Sequence, residues 1–298
     1  EDPQLFAAYV TGLRDMDAIL GRDDKMMDKI SLAAAQIQAA FVAIIGTPVP
    51  AVIGTDFRAL RRMGEKHLNI PVLSIPATGV GLYDQGAAEA YLQLFQTFAA
   101  EKLPVRRDVI GVLGATPLDM GRTDAGAGID AALRAEGAKT VRVYGMGSGL
   151  GDVRRASEAG ENIVAAPDGI PAAEYLKKTF GTPWRAFCQI PEALEARLGE
   201  LRGKKVLAVH QQVLANAVRD RALELGAASV TAATWFTLSP ELARPGDIRL
   251  GAEEELAQAV GAGGFEAGVA DTALRPAAGD FDGLWLDAPH FAVSGRLL

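Results

Sequence analysis

The chain has 298 residues, 49% of them apolar and 22% charged, with a formal net charge of −7. That length is ample for a buried core, and the acidic balance argues against a nonspecific nucleic-acid surface, which clusters Lys and Arg against phosphates. No apolar run reaches the ~20 residues of a membrane span, and the single cysteine, Cys188, excludes an internal disulfide framework or a multi-thiolate site built from this chain alone. A reducing, cytoplasmic setting with no membrane and no nucleic-acid partner is therefore expected. The chain opens on Glu1 rather than Met, the pattern of a processed chain or of one that begins upstream.

Taken in order, short β-rich runs alternate with helical runs, the pattern of parallel sheets covered by helices. The expected fold class is α/β, with three Rossmann-like parallel-sheet domains around a central crevice. The first, residues 1–103 and short of its N-terminal part, has a helix from Met26 to Ala40 and a strand from Phe41 to Ile45. The segment "IIGTPVPAVIGTD" follows, in which two prolines and two glycines demand a sharp turn. A helix from Asp56 to His67 comes next, with Asp56 as N-cap, then a strand at Pro71–Ile75 and a helix from Asp84 to Ala100. The second domain, residues 104–190, contains "DVIGVLG" as strand, a polar loop, a helix to Glu136 and the strand "TVRVYG". "GMGSGLGD" leads to a short helix capped by Asp152, then the strand "NIVAA" and the helix "GIPAAEYLKKTFG". The third, residues 191–298, opens on the strand "GKKVLAVH" and a helix from Gln211 to Leu225. It continues through "ASVTAATWFT", "AEEELAQAVG", "FEAGVAD" and "GLWLD" to "APHFAVSG".

In parallel sheets, ligands gather at the carboxyl ends of strands, and several chemistry-bearing residues fall there. His210 ends "VLAVH", and His290 follows "GLWLD" after Pro289, so each imidazole is a candidate ligand or proton carrier, or a histidine satisfied by a backbone carbonyl. Cys188 follows "TPWRAF" and is either a site-wall thiol or a small buried apolar residue. Asp84, Asp119, Asp124, Asp168 and Asp271 can orient ligands or cap turns. His67 lies on a polar helical stretch and reads as solvated surface. "YGMGSGLGD" gives no G-x-G-x-x-G register, and no nucleophile elbow, H-E-x-x-H or P-loop occurs.

The order of these motifs resembles the nitrogenase component 1 superfamily. "GRDDKMMDKI" is similar to the family's lead into a helix, "VIGTDFRAL" resembles its Ile-Gly-Asp-Asp turn, and "IPVLSIPATGVGLYDQGAAEAY" resembles the strand, loop and helix that follow. "VIGVLGATPLD", "ENIVAAPDGIPAAEYLKKTFGTPW" and "GKKVLAVHQQVLANAVRDRALELG" match in order and spacing, and "APHFAVSG" resembles the closing histidine segment. The resemblance implies a nitrogenase-like oxidoreductase or metallocofactor-assembly subunit. Such a subunit would pair with a homologous subunit and receive electrons from an ATP-dependent iron–sulfur reductase. It also implies an iron–sulfur cluster or related metallocofactor, shared with the partner. His290 would be the catalytic and metal-binding residue. His210, Cys188, Asp271, Gly54 and Asp56 would line or shape the cofactor site.

Two departures stand out. The family's cluster cysteine precedes the turn glycine by six residues, a place held here by Pro48, and its cofactor cysteine corresponds to Ala166. Thiolates hold iron–sulfur clusters, so these departures leave room for a different reading. In it, a non-redox binding protein holds a metal chelate, tetrapyrrole or small anion in the crevice. A third reading is a partner subunit that only shapes an active one.

Overall fold

A computed structural model describes residues 7–10, 12 and 23–296. The chain forms two compact units, residues 1–86 and 87–298. The division falls inside one helix.

In the first unit, α1 (Asp23–Ile37) leads to β1 (Val42–Ile45), α2 (Pro48–Val52), α3 (Phe57–Leu68) and β2 (Val72–Ile75), with α4 (Tyr83–Phe98) beginning at its end. β1 and β2 pair in parallel from Val42 opposite Val72 to Ile45 opposite Ile75. Met26, Met27, Ile44, Leu60 and Val72 form its core. The two prolines find their explanation here. The segment after β1 is a single helical turn, with Pro48 and Pro50 in its first positions, where an amide would have no intrahelical partner. Gly46 permits the turn, since a Cβ there would stand 2.4 Å from the Ala77 carbonyl oxygen. Asp56 caps α3 as expected, accepting from the amides of Arg58 and Ala59 at 2.9 and 3.0 Å.

The second unit carries two larger parallel sheets. The first is assembled from β3 (Arg106–Leu113), α5 (Pro117–Met120), α6 (Ala125–Ala135), β4 (Thr140–Val143), α7 (Leu150–Arg154), β5 (Ala159–Val164), α8 (Ile170–Phe180) and β6 (Trp184–Ala186). Its strand order is β4-β3-β5-β6. After α9 (Glu192–Glu195), the other sheet is built from β7 (Lys205–Val209), α10 (Gln212–Glu224), β8 (Ser229–Thr234), β9 (Ile248–Arg249), α11 (Glu253–Gly263), β10 (Ala267–Ala270) and β11 (Leu284–Asp287). Its order is β11-β10-β7-β8-β9, and α12 (Phe291–Ser294) follows. Every strand pair in both sheets is parallel.

The strand orders locate the functional geometry. In one sheet the chain steps from β3 to β4 and then returns to the other flank of β3 at β5. In the other it steps from β7 through β8 to β9 and returns to β7's other flank at β10. Each reversal is a topological switch point, where loops leave the carboxyl ends of adjacent strands in opposite directions and open a place for side chains to meet. Val112, Ile129, Leu133, Val143 and Ile163 seal one sheet, and Leu207, Val209, Leu250 and Leu256 one face of the other.

One local expectation is corrected. Asp152 is not the first cap of the helix after the glycine-rich loop. The helix starts at Leu150, and the Asp152 carboxylate reaches back to accept from the Gly149 amide at 3.1 Å. It thus supplies the N3 half of a capping box whose N-cap, a glycine, has no side chain to return the bond.

Candidate functional site

The switch points of the two sheets face one another, and the residues at their mouths are buried together. His210 and Gln211 follow β7, Asp271 follows β10, His290 follows β11, and Asp119 lies in α5 just beyond β3. The loop after β5 fills the other mouth. Gly114, at φ 75°, lies so close that a Cβ would stand 2.5 Å from the Ala166 carbonyl oxygen and 2.7 Å from Asp168 Oδ1. Gln211 bridges the sheets: its Nε2 donates to the Ala165 carbonyl at 3.0 Å, and its Oε1 accepts from the Val213 amide at 2.7 Å.

Around this bridge the imidazoles meet at a tilt, their planes 57° apart. The His210 and His290 ring centroids are 4.6 Å apart, and the other side of His290 lies against Phe236 at 4.7 Å with the planes 21° apart. His290 Nε2 approaches Asp119 Oδ1 to 3.6 Å. Asp119 is held by its own turn, where the Thr116 hydroxyl donates to Oδ2 at 2.9 Å.

His210 has a fixed tautomer. Its Nε2 lies 3.2 Å from the Pro289 carbonyl, which can only accept, so Nε2 carries the proton and Nδ1 is the bare nitrogen. That Nδ1 is buried with no hydrogen-bond partner among the described residues. Burial, and next the neighbouring His290, pull the His210 pKa down to about 3, so the ring is neutral at physiological pH.

Asp271 is the anchor. Its Oδ2 accepts from the His290 amide at 2.9 Å and the Ser294 hydroxyl at 2.5 Å, and its Oδ1 from the Ala273 amide at 2.8 Å and the Arg296 guanidinium at 2.7 Å. Burial works to raise the carboxyl's pKa, but these donors outweigh it and hold the group below its ordinary value.

Of the residues singled out from sequence, His210, His290, Asp271 and Cys188 come from separate stretches to this one region. Cys188 sits beside Gln211, whose Nε2 is 3.8 Å from Sγ, and belongs to the hydrophobic core of the β7 sheet. Burial pushes its pKa up to about 12, so it is a protonated thiol. Gly54 and Asp56 lie in the other compact unit. Gly54 adopts φ 70° with open space around it, and Asp56 is a helix cap. His67 is exposed, its Nδ1 3.0 Å from the Met63 carbonyl.

Sequence reasoning passed over Gln211, Phe236, Ser294 and Arg296, and placed Asp119 at a strand end as a ligand-orienting or turn carboxylate. Nothing local marks them. Their significance comes from two sheets meeting end to end, although Gln211 and Asp119 do share the signal that picked out His210, a place just past a strand's carboxyl end.

The donor set does not fit an iron–sulfur cluster. Among the described residues no group of three or more His, Cys, Asp or Glu could hold a metal ion. The chain's one thiol is protonated and packed in a core, and Pro48 and Ala166 stand where thiolates are expected. No helix of the described residues is long and apolar enough to cross a membrane.

Comparison with known proteins bears on the fold and the family. Solved structures of nitrogenase Cp1 at pH 6.5 and at pH 5 superpose with TM-scores of 0.65 and 0.68, at 14% and 15% identity. The first match covers 93% of this chain and 74% of the other, the second 96% and 72%. No curated protein matches significantly. The model of the family described as nitrogenase component 1 type oxidoreductase matches residues 2–196, well over half of the sequence. The chain belongs to the nitrogenase component 1 type oxidoreductase family.

Proposed function

We propose that this chain is a nitrogenase component 1-like subunit that works in a reducing, cytoplasmic setting beside a homologous, cluster-bearing subunit, in oxidoreduction or metallocofactor assembly. An ATP-dependent iron–sulfur reductase would supply the electrons. The observation that carries the reading is the combination of the family fold with a donor set lacking thiolates: Pro48 at one anchoring place, Ala166 at the other, and Cys188 buried as a thiol. A chain of this kind contributes shape, positioning and imidazoles. The sulfur ligands come from its partner.

The surface around Pro48 supports a subunit contact. In α2, Val49 and Val52 are 58% and 86% exposed, and Ile53 just beyond is 45% exposed, an apolar cluster on one short turn. Contiguous exposed apolar groups are characteristic of surfaces that meet another protein. His290, with Asp119 against its Nε2 and His210 against its face, is the residue this chain offers to chemistry at the site.

The reading is tested by co-expressing the chain with a related subunit that carries the family's cysteines, purifying the tagged chain anaerobically and measuring partner and iron content. Stoichiometric recovery of an iron-bearing partner is expected. A chain that remains alone would contradict it.

A second reading, a non-redox binding protein, is favoured by one feature. An open cavity of about 880 Å³ lies beside Phe187, Cys188, Val213 and Leu242, with Arg221 and Arg244 at its rim. That is within the ~300–1,000 Å³ range of small-molecule sites. Each of these guanidiniums is already bonded to carboxylates, Arg221 to Glu195 and Glu224, and Arg244 to Asp220. An anionic ligand would therefore have to displace an ion pair, which places this reading second.

A further inference from the structure

We infer that the segment from His290 to Arg296 is a latched strap that seats His290 against the buried His210 and Asp119, with Arg296 as its latch. The inference rests on the proposal that this cluster is the functional site. His210 and His290 are only 6% and 2% exposed, so any ligand or proton donor reaching them must do so through movement of the covering chain.

The strap has the construction of a movable part. It is short: α12 is four residues long, buries none of its own residues and stops at Gly295, a left-handed C-cap at φ 67°. It packs against α5, the turn that carries Asp119. Its body is tied at both ends of the helix, by the His290 amide and the Ser294 hydroxyl, to Asp271 Oδ2.

The far end is tied differently. The Arg296 guanidinium spans two strands' carboxyl ends, reaching Asp271 Oδ1 at 2.7 Å and Asp287 Oδ1 and Oδ2 at 2.9 Å each. Its side chain is 43% exposed and that of Asp287 is 39% exposed, so water competes for these bonds. A solvent-accessible bond that holds a strap against a solvent-excluded cluster is the first to yield in a local opening. Asp271 is the shared residue: one of its oxygens holds the strap at His290 and Ser294, the other at Arg296.

Carbethoxylation of imidazole followed by peptide mass spectrometry reads this directly, because the chain has three histidines, and His67 is an exposed internal standard in the other unit. In the full chain His67 should react while His210 and His290 are protected. Arg296→Gln should raise the rate at both buried histidines about tenfold, as expected for losing a partly exposed charge-assisted latch, and leave His67 unchanged. Asp287→Asn, which loosens the tip and leaves Asp271 in place, should raise them less. Hydrogen exchange on the same samples distinguishes strap opening from unfolding. Unchanged protection of His210 and His290 in Arg296→Gln would overturn the inference, as would a rise accompanied by equal loss of amide protection in β7 and β10. No partner or cofactor enters the measurement, so its failure is distinct from failure of the subunit reading.

Discussion

His290 Nε2 stands 3.6 Å from Asp119 Oδ1, with both side chains 2% exposed. The separation is that of an electrostatic contact, beyond ordinary hydrogen-bond length, and it joins groups 171 residues apart in sequence. It exists because the loops after β3 and β11 meet where two parallel sheets present their carboxyl ends. At that meeting point this chain places a buried imidazole pair and a carboxylate.

The neutral His210 makes stability depend on pH. Its pKa is about 3 in the fold against 6.5 for the free group, so between those values the unfolded chain binds the extra proton. The contribution is fully present above about pH 6.5 and is lost as pH falls toward about 3. His210→Gln, whose amide can still donate to the Pro289 carbonyl, should flatten the denaturation free energy against pH by up to one proton, about 1.4 kcal/mol per pH unit in that window. Parallel wild-type and variant curves would refute the neutral assignment.

Asp271→Asn replaces one acceptor of a fully bonded carboxylate with a donor that faces other donors. Urea unfolding should show a loss of about 2–4 kcal/mol. Because the carboxyl is held below its ordinary pKa, wild type should lose this stabilisation as pH falls below about 4 and through the folded pKa, while the variant should not. Equal acid sensitivity of the two would show that the carboxylate is not the anchor.

Two glycines in left-handed conformation should respond unequally to alanine. At Gly54 a methyl meets open space, so only the backbone term of about 1 kcal/mol is expected. At Gly114 it would also collide with the Ala166 carbonyl and Asp168, so the loss should exceed about 3 kcal/mol or prevent folding. Comparable melting shifts for both would mean that the β3 and β5 loops do not approach as closely as described.

Cys188 should behave as a core residue. A thiol reagent should label it slowly in the native chain and rapidly in urea, and Cys188→Ala should cost about 1–2 kcal/mol. Fast native labelling would make it a reactive thiolate and reopen it as a ligand.

Much of this was legible in the sequence, and the boundary is physical. Apolar runs ending at Leu113, Val209 and Ala270 announce parallel strands because burial on both faces leaves no alternation. Asp56 announces a helix start because its carboxylate satisfies free amides. His210, His290 and Asp271 could be placed at strand ends, since topology puts loop residues there whatever their partners. Their pairing was not legible: the tautomer of His210 depends on a carbonyl 79 residues away, and Asp119 becomes a partner of His290 only when two sheets meet. The helical turn at Pro48–Val52 was read as a bare turn because prolines interrupt helices everywhere except their first positions.

The central claim is that these residues carry the family fold without its sulfur anchors. It is tested most directly by iron and acid-labile sulfide analysis, with the visible absorption spectrum, of the 298-residue chain expressed alone, reconstituted with iron and sulfide and desalted anaerobically. The account predicts no retained cluster and no change when Cys188 is replaced by Ala. A stoichiometric cluster that survives desalting on the chain alone would contradict it.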